Sequence, residues 1–500
     1  MHLGVRLRGR VVTVVSGTAL ALSSVSGAAA PAVVNAVFHP TVSDYTFISS
    51  ATPTEADCEA VARTCFTPQA IQSAYHLGPL YQAGFDGSGM TIAIVDAYGS
   101  DTITHDLHVF DQAFGIQPMC GEEGVTCAPG LPKFSVLSLQ GSPATKAQPG
   151  NGSHQEDKSA WALEVSLDVE TSHAIAPMAN ILLVTTPTAE TLGVQGFPTI
   201  MNAEQYVVDH HLANVISQSF ASAEDAFGSA RSLQTLRHAY VAAAANGVTV
   251  LGSTGDNGTA NTRKSPVAKG GTLIPEPTVV WPASDPLVTA VGGTYLCTDP
   301  LADTNDARTP YFVAGLGAKC GSNTYNPDHN LDEVAWTFSG GGFSHVFSKP
   351  GYQDTLPAGS TPIGSMRGVP DVAFQASAAT GALVYVSLPP DGASSNVGQT
   401  GWYDIGGTSL SCPQWAGLVA IADQINGGGL GLINPALYKI GADPSRYAND
   451  FYDVATNNTN QADPSIPGYA ATTGWDPVTG LGTPNAAELL PDLVQAAHGH

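Results

Sequence analysis

The chain has 500 residues, with 18 Lys and Arg against 42 Asp and Glu, a formal net charge of -24, and only 12% charged residues, about half the usual ~25%. A chain so poor in cations is not a nucleic-acid binder, because neutralising phosphates needs clustered Lys and Arg, and 43% hydrophobic content excludes a largely disordered polyelectrolyte. The excess of carboxylates points to mild acid, where protonation relieves self-repulsion.

Residues 1–30 read as an export signal. Arg6, Arg8 and Arg10 precede an apolar run from Val11 to Leu22, and Ser26-Gly27-Ala28-Ala29-Ala30 fits cleavage after Ala30. The run is too short and too diluted with Ser, Thr and Gly for a membrane anchor. A secreted, extracellular, monomeric protein without a membrane partner is expected. Residues 31–65, with Pro and Ser throughout, are expected to be irregular.

From about residue 66 strands and helices alternate. The run Thr91-Ile92-Ala93-Ile94-Val95, closed by Asp96, reads as a buried parallel strand, and Asn180 to Val184, Val215 to Ser217 and Val248 to Leu251 repeat it. Helices are predicted from Thr104 to Phe114, Lys158 to Glu170, Pro198 to His210 and Ser229 to Asn246. The alternation predicts an α/β fold, a central parallel sheet flanked by helices, in one large domain over 66–492 with a short tail at 493–500. Seven cysteines in an exported chain suggest Cys58 with Cys65, Cys120 with Cys127 and Cys297 with Cys320, though spacing cannot prove connectivity. Cys412 is left over in an apolar segment, as a small buried hydrophobe. No cysteine pair has zinc spacing with His.

Three segments carry chemistry. Gly406-Gly407-Thr408-Ser409, followed by an apolar helical run, puts Ser409 at a helix N-terminus, where free N–H groups suit an oxyanion; an ordinary Ser cap is the commoner reading of such a motif. In the predicted helix from Lys158, Glu164 and Asp168 are four residues apart, on one face with Trp161 and Val165. Like charges so spaced disfavour a helix when ionised, and the company is too apolar for a solvated face. Such a pair shares a proton and supplies a carboxylate base at a pH where His, with a pKa of about 6.5, is almost wholly protonated. Finally, Ser253-Thr254-Gly255-Asp256 follows a strand. Asp256 donates to an oxyanion only when protonated, which again points to acid.

These segments together resemble the sedolisin family, serine-carboxyl peptidases with a subtilisin-like three-layer fold that act at acid pH. The likeness runs from about Phe66 to Pro491. It includes Glu164 and Asp168 followed by Ala176-Pro177, the Ser253 to Asp256 loop, Gly407-Thr408-Ser409 with Pro413, and stretches at Val215 to Ser219, Trp281 to Ser284, Val291 to Thr294, Ser339 to Gly342 and Val369 to Ala373. Asp96 stands where subtilisins carry an acid, but their His-Gly-Thr-His stretch is absent, and His154 and His173 lack its setting. The resemblance implies Ser409 as nucleophile, Glu164 as general base and then acid, Asp168 as its proton-sharing partner and Asp256 as oxyanion donor. It implies that Ser217, Ser219, Ser339, Gly340 and Gly341 border a cleft for extended peptide or protein substrates. It also implies one Ca2+ held by Asp453, Val454, Thr472, Gly474 and Asp476.

The family usually carries a pro-domain of well over a hundred residues, and 31–65 is too short for one. Gly406 replaces the usual first Ser of the nucleophile motif. The expected function is a secreted acid endopeptidase. The rivals are a non-catalytic binding protein on the same fold and a neutral subtilisin-type protease.

Overall fold

The computed structural model describes residues 39–40, 42–139, 155–187, 196–263, 272–297, 325–326, 331–387 and 400–499. The expected export signal, His154 and Cys320 lie outside them.

In chain order, the elements that build the site are β1 (Val42–Ser49), β2 (Thr91–Ala97), α1 (Ile103–Phe114), β3 (Phe134–Ser138), α2 (Gln155–Ile175), β4 (Asn180–Thr186), α3 (Phe197–Asp209), β5 (Val215–Gln218), α4 (His238–Ala245), β6 (Thr249–Ser253), β7 (Thr289–Leu296), β8 (Leu331–Ala335), β9 (Val372–Gln375), β10 (Ala382–Val386), β11 (Gly401–Gly407), α5 (Thr408–Asn426) and α6 (Ala486–Ala497). The main sheet runs β3-β4-β2-β5-β6-β7, all parallel, with β9 parallel and β8 antiparallel on β7.

The pleat divides β2 between two cores, as the period of two requires. Ile92 and Ile94 share one with Leu163 of α2 and Leu418 of α5. Ala93 and Val95 share the other with Ile200 and Val207 of α3. Helices therefore cover both faces of a mostly parallel sheet, the three-layer arrangement expected.

Three expectations need correction. Residues 31–65 are not irregular throughout: β1 is an eight-residue strand pairing antiparallel with β11, with Gly406 opposite Asp44 and Gly407 opposite Val42. Its apolar side chains pack on Tyr403, Tyr45 and Phe47 lying 6.4 and 5.4 Å from that ring. A short helix, Glu55–Ala60, follows, capped by Thr54. The helix expected from Ser229 to Asn246 is two helices, Ala230–Gln234 and α4. The break frees Arg237 to form a two-pronged ion pair with Asp285, at 2.5 and 2.7 Å. The tail at 493–500 is not a tail at its start: α6 continues to Ala497 and Leu493 is fully buried.

Cys58–Cys65 and Cys120–Cys127 are disulfides, as expected. Cys297 is also disulfide-bonded. Cys412 is free and buried. Among the described residues no helix is long and apolar enough to cross a membrane.

Candidate active site

β11 leads directly into α5, and two glycines make the turn. A side chain at Gly406 would sit 2.1 Å from the Ala378 nitrogen, and Gly407 has φ +133°, which L side chains rarely adopt. Thr408 and Ser409 are consequently the first two residues of α5, where backbone N–H groups lack intrahelical partners. Ser409 is fully buried.

The loop after β6 docks on this turn. Asp256 Oδ1 accepts from the Thr408 backbone N–H at 2.7 Å and from Thr408 Oγ1 at 2.9 Å. Thr408 Oγ1 in turn accepts from the Gly255 N–H at 2.9 Å. Thr408 is a site residue that the sequence reading passed over, although it stands inside the Gly-Thr-Ser motif.

Glu164 and Asp168 project from α2 into the interior, both at 0% exposure, among Trp161, Leu163, Val165 and Leu167 at the same value. Burial pushes the Asp168 carboxyl well above the usual carboxylate range, and the neighbouring charges of Asp96 and then Glu164 push it further. Ser219 Oγ opposes this slightly by donating to Asp168 Oδ1 at 3.0 Å. Asp96, at the end of β2, is itself pushed up to about 8 by burial. It joins the acidic group, in the place where the likeness to subtilisins set an acid.

Cys412 ties the acids to the start of α5. Its thiol is pushed up to about 12, mainly by burial, with the fields of Asp168 and Glu164 adding to it. Cys412 lies one turn beyond Ser409, so both carboxylates face the first turns of α5. The two helices approach closely at Gly417, where a Cβ would be 2.7 Å from Cβ and Cγ2 of Ile175.

The residues expected to border a cleft have structural contacts of their own. Ser217 Oγ is 3.5 Å from Cys412 Sγ beneath α5, and Ser219 holds Asp168. Ser339 Oγ donates to the Val478 carbonyl at 2.8 Å and accepts from the Gly293 N–H at 2.9 Å. Gly340 donates to the Gly255 carbonyl at 2.8 Å, and a Cβ there would meet the Thr254 oxygen at 1.8 Å. A Cβ at Gly341 would meet the Pro477 oxygen at 2.0 Å. This glycine segment is thus a seam between the Asp256 loop and the Asp476 loop. The strand Phe220–Ala223, just past Ser219, pairs antiparallel with the chain's own His39–Pro40.

His173, considered as a base, has its ring against Asp111 and the Gln117 carbonyl instead. At the C-terminal side, Asp476 Oδ1 accepts from the N–H groups of Val478 and Thr479, at 2.7 and 2.9 Å, and Oδ2 from Thr472 N–H at 3.2 Å and Thr479 Oγ1 at 3.0 Å. Asp453 Oδ2 accepts from Gly474 N–H at 2.8 Å, and Val454 is buried beside it. Burial raises both carboxyls, Asp453 to about 6 and Asp476 to about 7, and the Asp453 charge adds to the rise at Asp476. Two neighbouring carboxylates, one buried and one half-buried, with no Lys or Arg among their shifting influences are an oxygen donor set suited to a hard cation.

No family model matches the chain. Kumamolisin from Bacillus sp. (strain MN-32) is 30% identical over 448 residues, which is 89% of this chain and 66% of the relative. Sedolisin from Pseudomonas sp. (strain 101) is 32% identical over 302 residues, 60% of this chain and 44% of the relative. The chain thus spans just under two thirds of the one and under half of the other. The solved Pseudomonas sedolisin, described as a serine-carboxyl proteinase complexed with two molecules of pseudo-iodotyrostatin, superposes with a TM-score of 0.59 at 26% identity, covering 86% of this chain and 98% of that one. The likeness in sequence over most of the chain, and in fold over nearly all of the sedolisin structure, means that the chain belongs to the sedolisin family of serine-carboxyl peptidases.

Proposed function

We propose that the protein is a secreted endopeptidase that cleaves peptides or proteins in acid through an acyl-enzyme. Ser409 Oγ attacks the scissile carbonyl carbon while Glu164 takes its proton. The negative charge that develops on the carbonyl oxygen is met by the Ser409 backbone N–H and a protonated Asp256. Glu164 then returns the proton to the leaving amine, the C–N bond breaks, and an ester on Ser409 remains. Water, deprotonated by Glu164, hydrolyses that ester and regenerates the hydroxyl. Asp168 shares the proton of Glu164 and holds its orientation, and Ser219 holds Asp168. The logic is that of a serine triad with each part chosen for low pH.

The observation that carries this reading is a convergence on one helix start. Asp256 grips Thr408 from one side, and the field of Glu164 and Asp168 reaches Cys412, one turn past Ser409, from the other. A Ca2+ ion would be held by Asp453 and Asp476 with oxygens of Val454, Thr472 and Gly474. It would supply positive charge that locks a loop packed against Ser339 to Gly341.

The test is digestion of a protein substrate from pH 2 to 8 by wild type, Ser409→Ala and Glu164→Gln. Activity confined to the wild type and to the acid side supports the mechanism. Equal activity in all three defeats it, and no hydrolysis by wild type at any pH favours a binding protein on the same fold.

A further inference from the structure

Away from the acids of α2, a second cluster of titratable groups is buried. Asp111 of α1, Glu122 in the disulfide loop and His173 of α2 are 2%, 5% and 0% exposed, and a ligand atom from each lies within 4.8 Å of the others. His173 Nε2 is 3.1 Å from Asp111 Oδ2 and 3.0 Å from the Gln117 carbonyl oxygen. His108, one turn before Asp111 on α1 and partly exposed, places Nδ1 3.1 Å from Glu122 Oε2. Among the described residues no Lys or Arg pairs with any of these groups.

Whichever protons His173 carries, its ring nitrogens are not both satisfied among the described residues. Asp111 Oδ2 and the Gln117 oxygen are acceptors, while Glu122 Oε1 already accepts from the Met119 N–H and Oε2 lies against His108 Nδ1. If Nε2 of His173 carries a hydrogen, it serves Asp111 or Gln117, and Nδ1 is left buried as an acceptor without a partner. If Nδ1 carries it, Nε2 becomes one more acceptor facing oxygens. In the structure His173 Nδ1 and Asp111 Oδ1 are buried and make no hydrogen bond among the described residues. Convergent, buried N and O acceptors lacking a cation are what a metal ion satisfies. The 3.1 Å spacings are close to the ~3.3 Å edge of a tetrahedral shell with metal–ligand distances of about 2.0–2.1 Å.

We propose that Asp111, Glu122 and His173 bind one divalent cation of the Zn2+ class, with the Gln117 carbonyl as a fourth ligand. A mixed imidazole and carboxylate shell suits a first-row transition ion rather than Ca2+. The ion pins α1, the Cys120–Cys127 loop and the C-terminal half of α2 together. It stands apart from the Asp453 and Asp476 pair in sequence, elements and ligand chemistry.

The experiment uses full-length protein stripped with chelator and titrated at pH 7 with Zn2+ in a calorimeter and with Co2+ in a visible spectrophotometer. Wild type is expected to take up one equivalent of Zn2+ tightly and to give saturable Co2+ d–d bands at one equivalent. Glu122→Gln and His173→Gln should each weaken Zn2+ binding at least tenfold, and His108→Ala, which removes a hydrogen-bond partner of Glu122, by about tenfold. Asp453→Asn should leave this binding unchanged. Unchanged affinity in Glu122→Gln and His173→Gln overturns the proposal. If neither variant folds, the Co2+ spectrum of wild type together with His108→Ala decides: no saturable bands, or bands indifferent to His108→Ala, overturn it.

Discussion

Asp256 Oδ1 receives two hydrogen bonds from Thr408, one from its backbone N–H at 2.7 Å and one from Oγ1 at 2.9 Å. This carboxyl therefore fixes the first residue of α5. In the mechanism proposed here the same group both sets the position of Ser409 and donates to the oxyanion. Asp256→Ala should lower kcat on the order of 10²–10³, measured on a peptide substrate in acid. A loss confined to Tm, with kcat unchanged, would make Asp256 a structural residue only.

The buried acids predict an unusual stability profile. Burial raises Asp96 and Asp423 to about 8 and Asp106 to about 6, and it raises Glu204 and Asp404 well above their ordinary values. An acid with a raised folded pKa binds more protons in the native than in the unfolded state between the two pKa values. Its contribution to stability is thus full below about pH 4 and is lost as the pH rises toward 8. Self-repulsion from the -24 charge acts in the same direction. Tm should be higher at pH 4 than at pH 8 in differential scanning calorimetry; the reverse order would contradict the burial of these carboxyls.

Gly417→Ala tests the helix pair. The added Cβ would come within 2.7 Å of Ile175 and 3.2 Å of the Ser172 carbonyl oxygen. Overpacking of this kind costs about 1–3 kcal/mol. The two helices that carry Ser409 and Glu164 would be forced apart, so kcat should fall more than KM rises, read from steady-state kinetics beside a thermal melt.

Chelation tests the Asp453 and Asp476 pair. Removing Ca2+ should leave the half-buried Asp453 and the buried Asp476 without their shared cation and lower Tm by several degrees, with Ca2+ restoring it. Asp453→Asn should show a smaller difference between the two conditions. Identical melts of wild type with and without chelator would speak against a calcium site.

The sequence made some of this legible and hid the rest for identifiable reasons. Ser409, Asp256 and the Glu164 and Asp168 face stand in local motifs, and β2, β4 and β6 announce themselves as short apolar runs. Asp96 stood out as the acid of a subtilisin-like strand end, but its closeness to Asp168 depends on how β2 lies beside α2, which no local pattern encodes. β1 carried a weak signal, Tyr45 and Phe47 alternating with Asp44 and Thr46, that the surrounding Pro and Ser outweighed. The break before Arg237 comes from a partner, Asp285, 48 residues later. The cluster of Asp111, Glu122 and His173 likewise joins three elements that no spacing rule connects.

β11 lies between β10 and β1, so the eight residues of β1 make an interior strand of what would otherwise be a sheet edge. A recombinant version trimmed to begin at Phe66, where the motif likeness begins, would leave the strand before Thr408 with a row of unsatisfied N–H and C=O groups. Such a border recruits other chains. Self-association of the trimmed protein, with the turns before α5 brought face to face, is the practical hazard in defining this chain by its motifs alone.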